Sequence, residues 1–127
     1  QKANIKLIVL TGRECAATTR RMKEMKVDYL AQNVKDKLLF LDEFIQKEGV
    51  SYQEIGYLGD DLNDFAGMKK AGFAACPADA CDEIKGICDY VSEVSGGNGA
   101  VRDIIEKLLR ERDEWQQIIE QIYGAGI

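Results

Sequence analysis

Apolar and polar positions along the chain switch repeatedly between the spacing of strands and that of helices. The run IKLIVL over 5–10 is short, apolar and β-branched and ends in Thr11-Gly12, as a strand buried on both faces would. Cys15, Thr18, Met22 and Met25 then follow at helical spacing over 14–26. Tyr29-Leu30 predicts a short strand, and Leu38, Leu41 and Ile45 predict a helix over about 36–47 that Gly49 stops. EIGYL over 54–58 predicts a strand running into Gly59-Asp60-Asp61, after which Leu62, Phe65 and Met68 line one face of a short helix ending near Gly72. FAAC over 73–76, closed by Pro77, predicts another buried strand. A brief helix fits 80–86, and Tyr90-Val91-Ser92 is a last short strand. From Asn98, a good N-cap, one long helix is predicted to carry Val101, Ile104, Leu108, Trp115, Ile118 and Ile122 to a GAGI tail.

Strands alternating with helices predict an α/β fold with a mainly parallel sheet covered on both faces. At 127 residues the chain is long enough for one domain with a real core. The last turns of the final helix keep Trp115, Ile118 and Ile122 apolar, which fits either packing on its own sheet or docking against another subunit.

Composition narrows the partners. The net charge is −5 and the basic residues are scattered among acidic ones, so no stripe exists to follow a nucleic-acid backbone. No apolar run approaches a membrane span and no leader pattern opens the chain, so a cytoplasmic location is expected. The four cysteines, Cys15, Cys76, Cys81 and Cys88, show no C-x-x-C spacing, and with no histidine in the chain neither a zinc site nor a Cys-His pair is predicted. Acid–base chemistry here must run on Asp, Glu, Lys or Tyr.

Ligands of open parallel sheets sit beyond the carboxyl ends of the strands. That position collects Thr11 and Gly12 after the first strand, Asp60, Asp61 and Asp64 after the strand at 54–58, and Lys37 at the first turn of its helix. A hydroxyl, a lysine and a carboxylate cluster suit a phosphoryl group and Mg2+, which prefers hard oxygen ligands. Taken singly the pieces are ordinary: Asp61 as an N-cap, Asp64 as a first-turn acid, Lys37 as a surface lysine, Thr-Gly as a turn.

Their order is what distinguishes them. LTGR at 10–13, a lone Lys37 and LGDDLND at 58–64 resemble the second, third and fourth motifs of the haloacid dehalogenase (HAD) superfamily, aspartate-nucleophile phosphatases on a Rossmann-like three-layer sandwich. PADA at 77–80 and SGGNGAVRDIIEKLL at 95–109 resemble the capless, tetrameric branch that includes 3-deoxy-D-manno-octulosonate 8-phosphate phosphatase, and also the C-terminal module of some N-acylneuraminate cytidylyltransferases. The resemblance spans about 5–110. It implies a Mg2+-dependent phosphatase acting on a sugar-acid phosphate and assembled as a homotetramer. Thr11 and Gly12 would bind the phosphoryl group, Lys37 would neutralise it, and Asp60 and Asp61, with Asp64 holding their loop, would serve the metal. Arg13 and Arg102 would meet the substrate's acid group, and the tail over 123–127 would reach a neighbouring site.

One departure is large. The superfamily's first motif is Asp-x-Asp on the central strand, and this chain has no Asp-x-Asp. Without that carboxylate no aspartyl-phosphate can form. The resemblance also puts the absent strand between those at 5–10 and 54–58, which would leave a sheet truncated at the N-terminus with two apolar edges. Three accounts stay open: a fragment of a phosphatase whose nucleophile lies upstream, the C-terminal part of a larger polypeptide, or a non-catalytic relative that serves as an oligomerisation module.

Overall fold

Five strands and five helices make up the described part of the chain, which in this computed structural model is residues 5–10, 20, 23–24, 27–96 and 99–124. In order they are β1 (Ile8–Leu10), β2 (Tyr29–Ala31), α1 (Lys37–Glu48), β3 (Gly56–Leu58), α2 (Phe65–Lys70), β4 (Phe73–Cys76), α3 (Asp82–Lys85), β5 (Tyr90–Val91), α4 (Ala100–Glu111) and α5 (Trp115–Tyr123). The predicted helix over 14–26, Cys15, Asn98 and the last three residues fall wholly or almost wholly outside the described residues.

The strand pairs are parallel, as the alternation predicted. Val9 lies opposite Leu30, Tyr57 opposite Ala74, and Ala75 opposite Tyr90. The strands fall into two sheets, β1-β2 and β3-β4-β5, with no ladder between β1 and β3 among the described residues. That break is where the resemblance placed a strand these residues do not contain.

Local sequence explains α1 well. The Asp36 side chain caps it by accepting from Leu39 N at 3.0 Å. Gly49 closes it at φ 67°, a left-handed conformation that costs glycine nothing. Its buried side, led by Leu41, joins Tyr57, Met68, Ala74, Cys76, Ala80 and Ile84 in the main core. β4 is the middle strand of its sheet, and after the half-buried Phe73 its three fully buried positions carry small side chains, Ala74, Ala75 and Cys76. Met68 and Ile84 fill the space this leaves, and burying each contributes about 2 kcal/mol.

Three elements differ from expectation. The strand expected over 5–10 begins only at Ile8 and is half-buried where burial on both faces was expected, with Ile5 and Leu7 exposed. The strand expected over 54–58 begins only at Gly56, because Tyr52–Glu54 forms a 3₁₀ turn closed by a capping box between Ser51 and Glu54. Gly72 locks that turn: its N–H donates to Tyr52 O at 2.8 Å, and a Cβ there would stand 2.1 Å from Gln53 O. The single long helix from Asn98 is instead two. α4 ends at Glu111, Asp113 turns left-handed at φ 57°, and α5 starts at Trp115. Arg110 lies over the Trp115 ring and Arg112 pairs with Glu114, contacts that favour the turn over a continued helix. α4 is anchored by Ile104 and Leu109, whereas α5 has no buried residue and leaves Ile122 and Tyr123 exposed. No described helix is long and apolar enough to cross a membrane.

Candidate functional site

β3 ends at Leu58, and the segment Gly59-Asp60-Asp61 leaves the sheet at its carboxyl end. It is fastened on both sides: Gly59 N donates to Ala75 O at 3.2 Å, and Asp60 O accepts from Cys81 N at 3.3 Å. A Cβ on Gly59 would lie 2.7 Å from both Cβ and Cγ of Asp64, so only glycine lets the Asp64 carboxylate fold back beneath the loop.

Asp64 is 5% exposed and sits at the centre of the site. Its Oδ2 accepts from the backbone N–H groups of Asp60 at 3.2 Å and Asp61 at 3.4 Å. Its Oδ1 accepts from Lys37 Nζ at 2.8 Å and from the Tyr57 hydroxyl at 2.7 Å. Burial pulls this carboxyl up, but the hydrogen bonds from Lys37 and Tyr57 together outweigh it and hold the group below the usual carboxylate range. Burial, and then the anionic Asp64, push the Tyr57 hydroxyl well above the usual phenol range. Tyr57 therefore stays a neutral donor.

Lys37 and Asp64 come from opposite sides of β3 in sequence and meet as a largely buried ion pair. Lys37 opens α1 as expected, and the ammonium keeps donors beyond the one given to Asp64. Asp61 caps the 3₁₀ turn Leu62–Asp64 by accepting from Leu62 N at 2.7 Å, while Asp60 and Asp61 are both exposed at the mouth. Asp64 sits beneath them and holds the loop through the N–H groups of Asp60 and Asp61. Four donors occupy a carboxylate with about four acceptor positions, so its task is to hold the loop and the lysine. Accordingly, no group of three Cys, Asp or Glu side chains is arranged to hold a metal ion among the described residues.

Thr11, Gly12 and Arg13 lie outside the described residues. Arg102 is exposed in the first turn of α4. Tyr57 was missed from the sequence, although a tyrosine at the inward position of a strand just before a carboxylate loop is a visible signal. Cys76, Cys81 and Cys88 are free thiols packed in or against the core. Burial, with a hydrogen bond that the Cys88 thiol gives to Cys76, pushes Cys88 up to about 12, so it is an unreactive thiol.

No family model matches the chain. It is 32% identical over 107 residues to the 3-deoxy-D-manno-octulosonate 8-phosphate phosphatase KdsC of Salmonella typhi, covering 84% of this chain and 57% of that protein. The chain thus spans little more than half the length of the curated relatives it matches. Its structure is similar to that of the 3-deoxy-D-manno-octulosonate 8-phosphate phosphatase of Moraxella catarrhalis in complex with magnesium ion, phosphate ion and KDO. The TM-score is 0.89 at 32% identity, over 94% of this chain and 69% of that one. It is also similar to the cobalt-bound form of the Haemophilus influenzae phosphatase, with TM-score 0.83 at 25% identity over 90% of this chain and 67% of that one.

Proposed function

The chain belongs to the KdsC-like phosphatases of the HAD superfamily, and we propose that it serves hydrolysis of a sugar-acid phosphate such as 3-deoxy-D-manno-octulosonate 8-phosphate. The observation that carries this is the meeting of Lys37 with Asp64, 2.8 Å apart, directly under the loop that exposes Asp60 and Asp61. A lysine so anchored presents a cation to phosphoryl oxygens at a fixed place.

Mg2+ is usually held by one or two carboxylates, with waters and phosphate oxygens completing its shell, and two exposed carboxylates at the mouth meet that demand. Asp60 would be the main ligand and Asp61 would support it. When bound, the ion supplies positive charge against the phosphoryl oxygens. Thr11 and Gly12 would add a hydroxyl and a backbone N–H to the same group, while Arg13 and Arg102 would pair with the acid of the sugar. The attacking carboxylate is supplied from outside these 127 residues, which contain no Asp-x-Asp.

The test is phosphate release, with Mg2+, from 3-deoxy-D-manno-octulosonate 8-phosphate and related sugar-acid phosphates, by a protein joining this chain to an Asp-x-Asp strand. Release is expected, and Asp60→Asn should lower it by about 100-fold, since an amide oxygen is a weaker ligand than a carboxylate. No release from any such substrate overturns the proposal.

The missing nucleophile and the uncovered face of α5 favour one other function, a non-catalytic HAD-like oligomerisation module such as the C-terminal part of an N-acylneuraminate cytidylyltransferase. That alternative requires that Mg2+ leave the melting temperature unchanged and that Asp60→Asn have no effect.

A further inference from the structure

We propose that Tyr57 is a positioning residue for Lys37, acting through Asp64; this rests on the phosphoryl-binding role given to Lys37 above. Lys37 Nζ and the Tyr57 hydroxyl both donate to Asp64 Oδ1, at 2.8 and 2.7 Å. Two backbone N–H groups hold Oδ2, but at 3.2 and 3.4 Å these are long bonds that leave the carboxylate some freedom to tilt. The tyrosine contact is short, aimed from the strand itself, and defines where Oδ1 stands.

Tyr57 is rigid enough for this task. It is 8% exposed, and its ring lies between α1 and α2, so close to Gly67 that a Cβ there would meet Cε2 at 2.8 Å. That same Cβ position would lie 3.1 Å from Leu41 Cδ1, so ring, glycine and leucine form one tight packing unit. A flexible lysine tied to a carboxylate is only as well placed as the carboxylate. The chain of contact therefore runs from packed ring to hydroxyl to Oδ1 to ammonium.

The experiment compares wild-type chain, Tyr57→Phe and a chain with 3-fluorotyrosine at position 57, which keeps the hydroxyl. Two quantities are measured: affinity for inorganic phosphate, and the nitrogen NMR signal of the Lys37 ammonium, with its coupling to the Asp64 carboxylate. In Tyr57→Phe the backbone amide spectrum should persist while the Lys37 coupling is lost and phosphate binds about 10–100-fold more weakly, the loss typical of a hydrogen bond to a charged group. The fluorotyrosine protein should behave as wild type. An unchanged Lys37 signal in Tyr57→Phe overturns the proposal. If phosphate binds no form of the chain, the phosphoryl-site assignment of Lys37 falls, while its NMR signal still decides the role of Tyr57. Should Tyr57→Phe not fold, the wild-type chain decides: a magnetisation transfer between the Tyr57 hydroxyl proton and the Lys37 ammonium supports the proposal, and its absence overturns it.

Discussion

A single side chain, Asp64, gathers most of the site. Its partners are a lysine, a phenol and two backbone amides, and it is almost fully enclosed. Removing one member of such a buried pair leaves the other charge stranded, so Asp64→Ala should cost about 3 kcal/mol in urea unfolding. Replacing both charges, as Lys37→Met with Asp64→Leu, should cost less than Asp64→Ala alone, because no ion is left unpaired. A double variant at least as unstable as the single one would show that the pair stabilises the fold in its own right. Gly59 belongs to the same unit, since Asp64 occupies the space where any side chain at 59 would stand.

Between residue and fold, the helices are joined to the sheet by small polar devices. Asp36 caps α1, and because α1 starts at Lys37 the cap also fixes where the ammonium begins. Asp36→Ala should cost about 1 kcal/mol by thermal or urea unfolding, the usual loss for an N-cap. At the other end of the sheet, the Ser92 and Tyr90 hydroxyls both donate to Asp103, at 2.7 and 2.8 Å, tying β5 to α4. Those two bonds hold the Asp103 carboxyl below its usual range. A depressed carboxyl adds stability that is fully present above its unfolded value, about 3.9, and is lost as pH falls through its folded value. The urea midpoint of wild type should therefore exceed that of Asp103→Asn by a constant amount above about pH 5 and converge on it as the pH falls through the folded value. Parallel curves across that range would remove Asp103 from the acid response.

At the scale of the molecule, the two sheets and the C-terminal helices set the open questions of assembly. α5 buries none of its residues, and Val101, Ile105, Ile122 and Tyr123 stay exposed along α4 and α5. Exposed apolar side chains gain by being covered, and the homotetramer that the resemblance implies would cover them. Light scattering should give a particle of four chain masses, and Ile122→Glu with Tyr123→Glu should shift it toward one. A monomeric wild type would leave this face to the chain itself.

Much of this was legible in the residues. Hydrophobic period, caps and stop signals are local, so α1 with Asp36 and Gly49, the buried strand FAAC and the parallel alternation all follow from neighbours in the chain. Motif order singled out Lys37 and the GDDLND loop for the same reason. Three features were decided by contacts that the apolar spacing does not report. Lys37 and Asp64 are 27 residues apart, and their meeting under the loop depends on the missing Cβ of Gly59 and the placement of Tyr57. The 3₁₀ turn before β3 wins over a longer strand because Gly72 closes on it, and the last helix breaks at Asp113, where Arg110 meets Trp115. Apolar spacing along the chain tells which face of an element is buried. Which side chain then occupies one shared carboxylate oxygen depends on residues brought together from distant segments.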